Sequence, residues 1–460
     1  MPLSKIIDLS NDGWHRLCEF YLPVKSEDSI WRFSRETKPD EPSQGWKFHI
    51  SATILEACDL FEKVAPFLIS QDVQFKAPKS LEELAKINCG LHYGYWQVGK
   101  FMTVYPSTIG QALALAKKLD DLTSEFISIS VPFDNQYSPN SSVFYRYGAF
   151  QELEMLNEHG ETVPAIKKPD EKLVYDNRFQ AVPDWLFDPF QKTETHLEEI
   201  ETPLVTTYKV FRAITQRGKG GTYQALDLST NSPRFCIVKE GRRHGEIFWN
   251  GLDGYYMLKN ELKVLDTLRK TYRQVPRVFS SFEIAGNFYL AMEFVEGTSL
   301  FDLMKFRRRR FSIKKIIGFA IEIAEIISQI HRAGWIWNDC KPANLIVTPK
   351  KSLRPIDFEG AYPINQSDPF EWKTEGFSNQ TINQTSANTN DFYSLGAVIY
   401  FLLTGKIYDS DEPVKINKLR RRIPVQFQEI IENLLGDSAV INRINAVGIK
   451  KEFEKILNLL

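Results

Sequence analysis

Asp339, Lys341 and Asn344 stand at the spacing D-x-K-x-x-N, and Asp357-Phe358 follows thirteen residues after Asn344. Such a set suits transfer of a phosphoryl group to a hydroxyl. Asp339 would take the hydroxyl proton, Lys341 would steady the transferring group, and Asn344 and Asp357 would hold Mg2+ against the phosphates. A second set lies nearer the N-terminus. Lys47 and His49 are two apart in a segment with strand character, so both point to one face. Lys100, in Val98–Pro106, and Arg146, beside Tyr145, come from two more segments that read as strands. Clustered cations of this kind could grip a phosphate dianion. A lysine among them loses proton affinity and becomes a base near neutral pH, and a histidine could protonate a departing phosphate. That is the chemistry of eliminating phosphate from phosphoserine or phosphothreonine, and it needs no metal or other cofactor.

Several elements must position these groups. From Tyr208 the chain is strand-rich: Tyr208–Ile214 and Thr222–Asp227 flank the turn Gly218-Lys219-Gly220-Gly221, and Phe235–Lys239 is a third strand. Gly218, Gly220 and Gly221 offer backbone that can fold over nucleotide phosphates. Lys239 ends an Ile-Val-Lys strand suited to the α- and β-phosphates, and Glu261, on a helix over Tyr255–Leu268, is its expected ion-pair partner. Met292-Glu293-Phe294 closes a further strand and leads to Gly297, where a hinge meets the nucleotide base. Beyond Gly297 the pattern is helical, with Ile316–Ile330 apolar on a broad face. This order resembles the bilobal protein kinases, with Asp391 as the residue that props the catalytic loop. Three features depart from that pattern: Asn338 replaces the usual Arg, Glu359 replaces the glycine after Asp-Phe, and no A-P-E motif closes the activation segment. Lys239, Asp339, Lys341, Asn344 and Asp357 are all present, which predicts an active kinase that needs no activation-loop phosphate.

The preceding 200 or so residues read as α+β, with helices over Ile54–Leu68 and Ile109–Leu122 and a strand over Phe144–Phe150. Lys167–Pro203, rich in Pro and charge, reads as the end of one unit and a connector. The expected domains are 1–200 and 201–460, the latter with lobes at 201–296 and 297–460. Net charge is −1 and the pI about 6.7, so no global field draws the chain to nucleic acid or a membrane. Five scattered cysteines without C-x-x-C pairs argue against a disulfide framework or zinc site and for the cytoplasm. No signal peptide or spanning segment is expected.

The N-terminal motifs carry a second resemblance. Lys47-Phe48-His49-Ile50-Ser51, Gly99-Lys100-Phe101 with Thr103-Val104-Tyr105-Pro106, and Tyr145-Arg146-Tyr147-Gly148-Ala149-Phe150 resemble the phosphothreonine lyase fold as it begins class III lanthipeptide synthetases. Lys239-Glu240-Gly241-Arg242-Arg243-His244 resembles the same family's sequence after the strand lysine. The resemblance implies Lys100 as general base, His49 as general acid, and Lys47 and Arg146 as phosphate ligands, with Arg178 as a further one; Tyr145 is read as packing. It also implies a dehydratase: the kinase uses ATP or GTP with Mg2+ on Ser and Thr of a precursor peptide with a leader and a Ser/Thr/Cys-rich core. The lyase then leaves dehydroalanine or dehydrobutyrine. A LanC-like cyclase follows the kinase in that family; here it is expected either as a separate polypeptide or as trimmed from this chain. Two alternatives stand beside this reading: an ordinary Ser/Thr kinase with an N-terminal regulatory domain, and a non-catalytic pseudokinase scaffold. The basic runs Lys305–Arg310 and Arg420–Arg422 read as solvated, Cys340 as filler, and His15, His92, His159 and His196 receive no role.

Overall fold

A computed structural model describes residues 3–25, 29–191, 201–306, 310–366, 374–378, 389–413, 416–436 and 445–460. Its contacts divide into two compact units. One holds 1–223 with 239–256 and 283–288, and the other holds 224–238, 257–282 and 289–460.

The first unit is built on a seven-stranded sheet. Its strands are β1 (Val24–Lys25), β2 (Trp31–Phe33), β3 (Gln44–Ile50), β4 (Gln74–Pro78), β5 (Met102–Tyr105), β6 (Asn135–Gln136) and β7 (Val143–Ala149). They run in the order β1-β2-β4-β5-β3-β7-β6, every pair antiparallel. Strand alternation gives the sheet two unlike faces. Trp46, Phe48 and Ile50 of β3, Val104 of β5 and Tyr145 of β7 enter a core with Trp14 of α1 (Leu3–Tyr21), Phe61 of α2 (Ala57–Ser70) and Leu115 of α4 (Ile109–Thr123). Lys47, His49, Thr103 and Arg146 occupy the alternate positions and face a pocket. A one-residue slip would bury the cations and expose the aromatics, so the core sets the register that builds the site. Between α2 and α4, α3 (Leu81–Cys89) starts at Ser80, whose side chain accepts from Glu83 N, and ends at Gly90 with φ +78°.

One expectation shifts here. The strand read over Val98–Pro106 is shorter, Met102–Tyr105, and Lys100 precedes it in a turn after Gly99, whose φ is +78°. The segment read as the end of one unit and a connector contributes β10 (Leu173–Tyr175), which forms a small sheet with β8 (Glu154–Leu156) and β9 (Thr162–Lys167), and Phe190, which packs among Trp46, Phe48 and Tyr145. Residues 192–200, including His196, and 307–309 of the basic run lie outside the described residues.

Downstream, β11 (Tyr208–Arg217), β12 (Gly220–Asp227), β13 (Arg234–Gly241), β14 (Val278–Ile284) and β15 (Asn287–Glu293) make one sheet in the order β11-β12-β13-β15-β14. The second unit then turns helical. Ser312 caps the Ile313–Arg332 helix by accepting from Lys315 N, and the helix buries Ile316, Ile323, Ile327 and Ile330. It packs against the helices Thr389–Thr404 and Ala446–Asn458. All five cysteines are free. No described helix is long and apolar enough to cross a membrane.

Candidate active sites

In the first unit, register gathers the cations. Lys47 lies opposite Arg146, and His49 and Lys76 both lie opposite Thr103, so Lys76, Thr103 and His49 form a row across three strands. Like charges directly opposite in a sheet are destabilising, and Asp176 offsets this pair by accepting from Arg146 Nη2 at 2.6 Å. Gly148 makes the room: a Cβ there would fall 3.2 Å from both Lys47 Nζ and Asp176 Oδ2. Lys100 and Arg178 complete the wall, held 5.6 Å and 4.3 Å from the Trp96 ring. The pocket encloses about 360 Å³, and all five expected lyase residues (Lys47, His49, Lys100, Arg146, Arg178) line it, together with Lys76. Tyr145 does not; it packs on Phe190 and donates to Asp188.

Burial among cations sets the charge states. Burial, then Arg146, brings Lys47 down to about 7. Burial lowers Lys76 to about 8, with Lys100 and Arg178 adding to it. Lys100 is also lowered by burial, against the pull of Asp134. Burial and Lys100 bring His49 down to about 3 despite the Asp134 carboxylate on its Nδ1, so the empty site holds a neutral imidazole.

Two of these residues escaped the sequence reading. The Asp134 side chain is wholly buried; burial would raise its carboxyl, but Lys100, His49 and Arg146 prevail and hold it at about 2. Its Oδ2 meets His49 Nδ1 and its Oδ1 lies 3.5 Å from Lys100 Nζ. Nothing in Val131-Pro132-Phe133-Asp134 announces this in sequence. Lys76 carried a legible signal, a lysine alternating with Phe75 and Ala77 in a strand, with its ammonium 4.5 Å from the Trp31 ring.

The second unit holds the other set. Asn344 Nδ2 donates to Asp339 Oδ2 at 2.8 Å, and Lys341 Nζ lies 2.9 Å from the same oxygen. Thr374 Oγ1 donates to Asp339 Oδ1 at 2.9 Å. Burial raises the Asp339 carboxyl and Asp357 adds to this, against Lys341. Fully buried Asp391 accepts from Trp337 N, Asn338 N and His331 Nε2, which fixes the catalytic loop as a prop should. Asn338 has a structural task in place of the missing Arg: with φ +62°, its Nδ2 donates to Gly360 O. Burial pushes the Cys340 thiol well up, as befits filler.

Glu261 is buried in the helix Gly254–Leu268 and accepts from Phe358 N at 3.1 Å. Its carboxylate oxygen, with those of Asp357 and Glu359, forms a set within 4.8 Å of one another. Such hard oxygen donors beside the Asp357 position fit a divalent cation such as Mg2+. Glu293 differs from expectation in its side chain, which is committed to Arg354 and to Arg277 N; its backbone is what remains for a hinge. In the first unit Lys239 is buried on β13. Packing demands two of the turn glycines, since a Cβ would fall 1.7 Å from Asn88 O at Gly218 and 1.8 Å from Glu240 O at Gly220, both backbone atoms; at Gly221 it would meet the end of the Tyr223 side chain, 2.4 Å from its Oη.

A strand-rich stretch leading into a helical unit, with a propped D-x-K-x-x-N loop, defines a protein kinase domain, and the chain belongs to that family, which matches residues 218–448. Residues 23–202 match the RamC N-terminal domain. The two in this order bear out the resemblance to class III lanthipeptide synthetases. A probable SapB synthase of Streptomyces coelicolor is 26% identical over 373 residues, covering 77% of this chain and 38% of that protein. A probable serine/threonine-protein kinase of Clostridium acetobutylicum is 26% identical over 278 residues, covering 56% of this chain and 41% of the relative. Serine/threonine-protein kinase F of Synechocystis is 26% identical over 230 residues, 45% and 46% of the two chains. The chain thus spans less than half the length of these curated relatives.

Proposed function

We propose that this chain dehydrates Ser and Thr of a ribosomal precursor peptide in the cytoplasm, first phosphorylating the hydroxyl and then eliminating phosphate. One observation carries the reading: a kinase domain shares its chain with a pocket in which three lysines and arginines of one sheet face, a turn lysine, an arginine beyond β10 and a histidine converge. In the kinase domain Asp339 accepts the hydroxyl proton as the γ-phosphoryl group of ATP or GTP passes to the oxygen, and Lys341 accompanies the charge. The glycine turn and Lys239 serve the nucleotide. Asp357 and Asn344 would hold Mg2+, which neutralises phosphate charge when bound.

In the lyase pocket Lys47, Arg146 and Arg178 grip the dianion. Lys100, once it has given up its own proton, takes the Cα proton, the electron pair forms the Cα–Cβ double bond, and the Cβ–O bond breaks. The arriving dianion counters the burial and the Lys100 charge that keep His49 neutral, so the imidazole takes up a proton from solvent and passes it to the departing phosphate. Phosphate is therefore a temporary leaving group, since hydroxide leaves too poorly. A second assignment rests on Lys76, a pocket amine that burial lowers to about 8, with the charges of Lys100 and Arg178 adding to it. There Lys76 is the base and Lys100, steadied by Asp134, a phosphate ligand. Lys76→Met and Lys100→Met separate the two, because the base variant keeps its affinity for phosphopeptide and stops eliminating, whereas the ligand variant loses affinity.

The overall test is mass spectrometry of a leader-bearing peptide with a Ser/Thr/Cys-rich core, incubated with nucleoside triphosphate and Mg2+. Loss of one water per site supports dehydration. Gain of a phosphoryl group that persists points to an ordinary kinase with a regulatory domain, and no change points to a scaffold. Ring closure we assign to a LanC-like cyclase.

A further inference from the structure

Asn88, near the end of α3, is 3% exposed and bridges the two strands of chain that carry the acid and the base. Its Nδ2 donates to Ala52 O at 3.1 Å, three residues past His49. Its Oδ1 accepts from Gly99 N at 3.3 Å, one residue before Lys100. A single amide thus sets the spacing between His49 and Lys100 from behind the pocket.

The backbone of the same residue seats the glycine turn. Gly218 N donates to Cys89 O at 3.0 Å, and the approach to Asn88 O is so close that only glycine fits. Arg217 locks the contact: its Nη2 lies 3.1 Å from both Glu246 oxygens and 3.1 Å from Cys89 Sγ. Arg242, whose N donates to Lys219 O at 2.8 Å, lies 5.0 Å from the Tyr95 ring. Tyr95 opens the short turn Tyr95–Gln97 that supplies Trp96 beneath Lys100. Elimination as such needs none of these contacts with the glycine turn, and phosphoryl transfer needs none with Asn88.

We propose, on the reading of the two sites given above, that Asn88 is a positioning residue for elimination and that nucleoside triphosphate at the glycine turn acts through it on Lys100. Triphosphate draws the turn's backbone N–H groups toward its oxygens and orders them. The turn shares a hydrogen bond and a contact without slack with residues 88 and 89, so ordering one orders the other. A loaded kinase domain then holds the lyase base in its working position.

The test uses the whole chain, a synthetic phosphothreonine peptide, and non-hydrolysable ATP and GTP analogues with Mg2+. In the wild type a saturating analogue should raise kcat for elimination about fivefold at unchanged KM. It should also slow hydrogen exchange in peptides covering residues 95–105 as well as in the turn 217–222. Arg217→Gln should eliminate at the wild-type rate without nucleotide and lose both responses. Asn88→Ala should lower kcat about tenfold or more without raising KM. Protection confined to the turn, protection at neither segment, or an Arg217→Gln protein that responds like the wild type overturns the proposal. Hydrogen exchange decides the coupling even if the wild type eliminates nothing, a result that would refute the lyase reading instead.

Discussion

Replacing Lys100 by Met should destabilise the first unit as well as stop elimination, and a second substitution should repair the first defect alone. Lys100 Nζ lies 3.5 Å from Asp134 Oδ1, an oxygen without any hydrogen-bond donor among the described residues. At an effective dielectric of ~20 the pair attracts by about 4–5 kcal/mol. Removing the cation leaves a buried carboxylate, a change that typically costs about 3–5 kcal/mol. His49 recovers part of this by taking a proton beside Asp134, so a loss of about 3 kcal/mol, or roughly 6–12 °C in a unit of this size, is expected at pH 7. Lys100→Met/Asp134→Asn removes the stranded charge and should regain most of that while remaining inactive. The sign with pH follows. In the wild type the lowered Asp134 pKa contributes stability that is present above the ordinary carboxylate pKa and lost as pH falls toward 2. Without Lys100, burial raises the same carboxyl, so the variant's deficit is largest near neutrality and shrinks on acidification. Thermal melts across pH, with phosphopeptide elimination followed by mass, measure both effects. A Lys100→Met protein melting within about 2 °C of wild type, or a double variant no more stable than the single, would refute this account of the pair.

His49→Ala should slow elimination about 100-fold or more and accumulate phosphorylated peptide in the coupled reaction; dehydrated product at the normal rate removes His49 from the acid role. Asp339→Asn should cut phosphorylation by a similar factor, about 100-fold or more, yet leave elimination from a synthetic phosphopeptide intact, and loss of both activities in a folded protein counts against two separate sites. Calorimetric affinity for a phosphopeptide should decline as pH rises through 7 to 8, because burial places the protonated forms of Lys47 and Lys76 below about 7 and about 8. The empty protein should gain stability over the same range, since the unfolded chain binds more protons than the folded one; affinity that rises with pH would show that neutral lysines hold the phosphate.

Sequence alone determined the kinase half and the type of the first. D-x-K-x-x-N with a following Asp-Phe is local, so spacing conveys its geometry, and Asp391 and the apolar face of Ile316–Ile330 were legible for the same reason. The period of two likewise placed Lys47 and His49 on one face and Tyr145 on the face opposite Arg146. Tertiary structure decided the counter-charges. Asp134 meets His49 from 85 residues away and Asp176 meets Arg146 from 30, each from an irregular segment with no pattern to read. It also placed Lys100 in a turn rather than a strand, committed Glu293 to Arg354, and set Gly218 on Asn88. The physical reason is common to all of these: periodicity specifies which way a side chain points, whereas the partner that sets its charge or position is chosen by packing between segments distant in the chain.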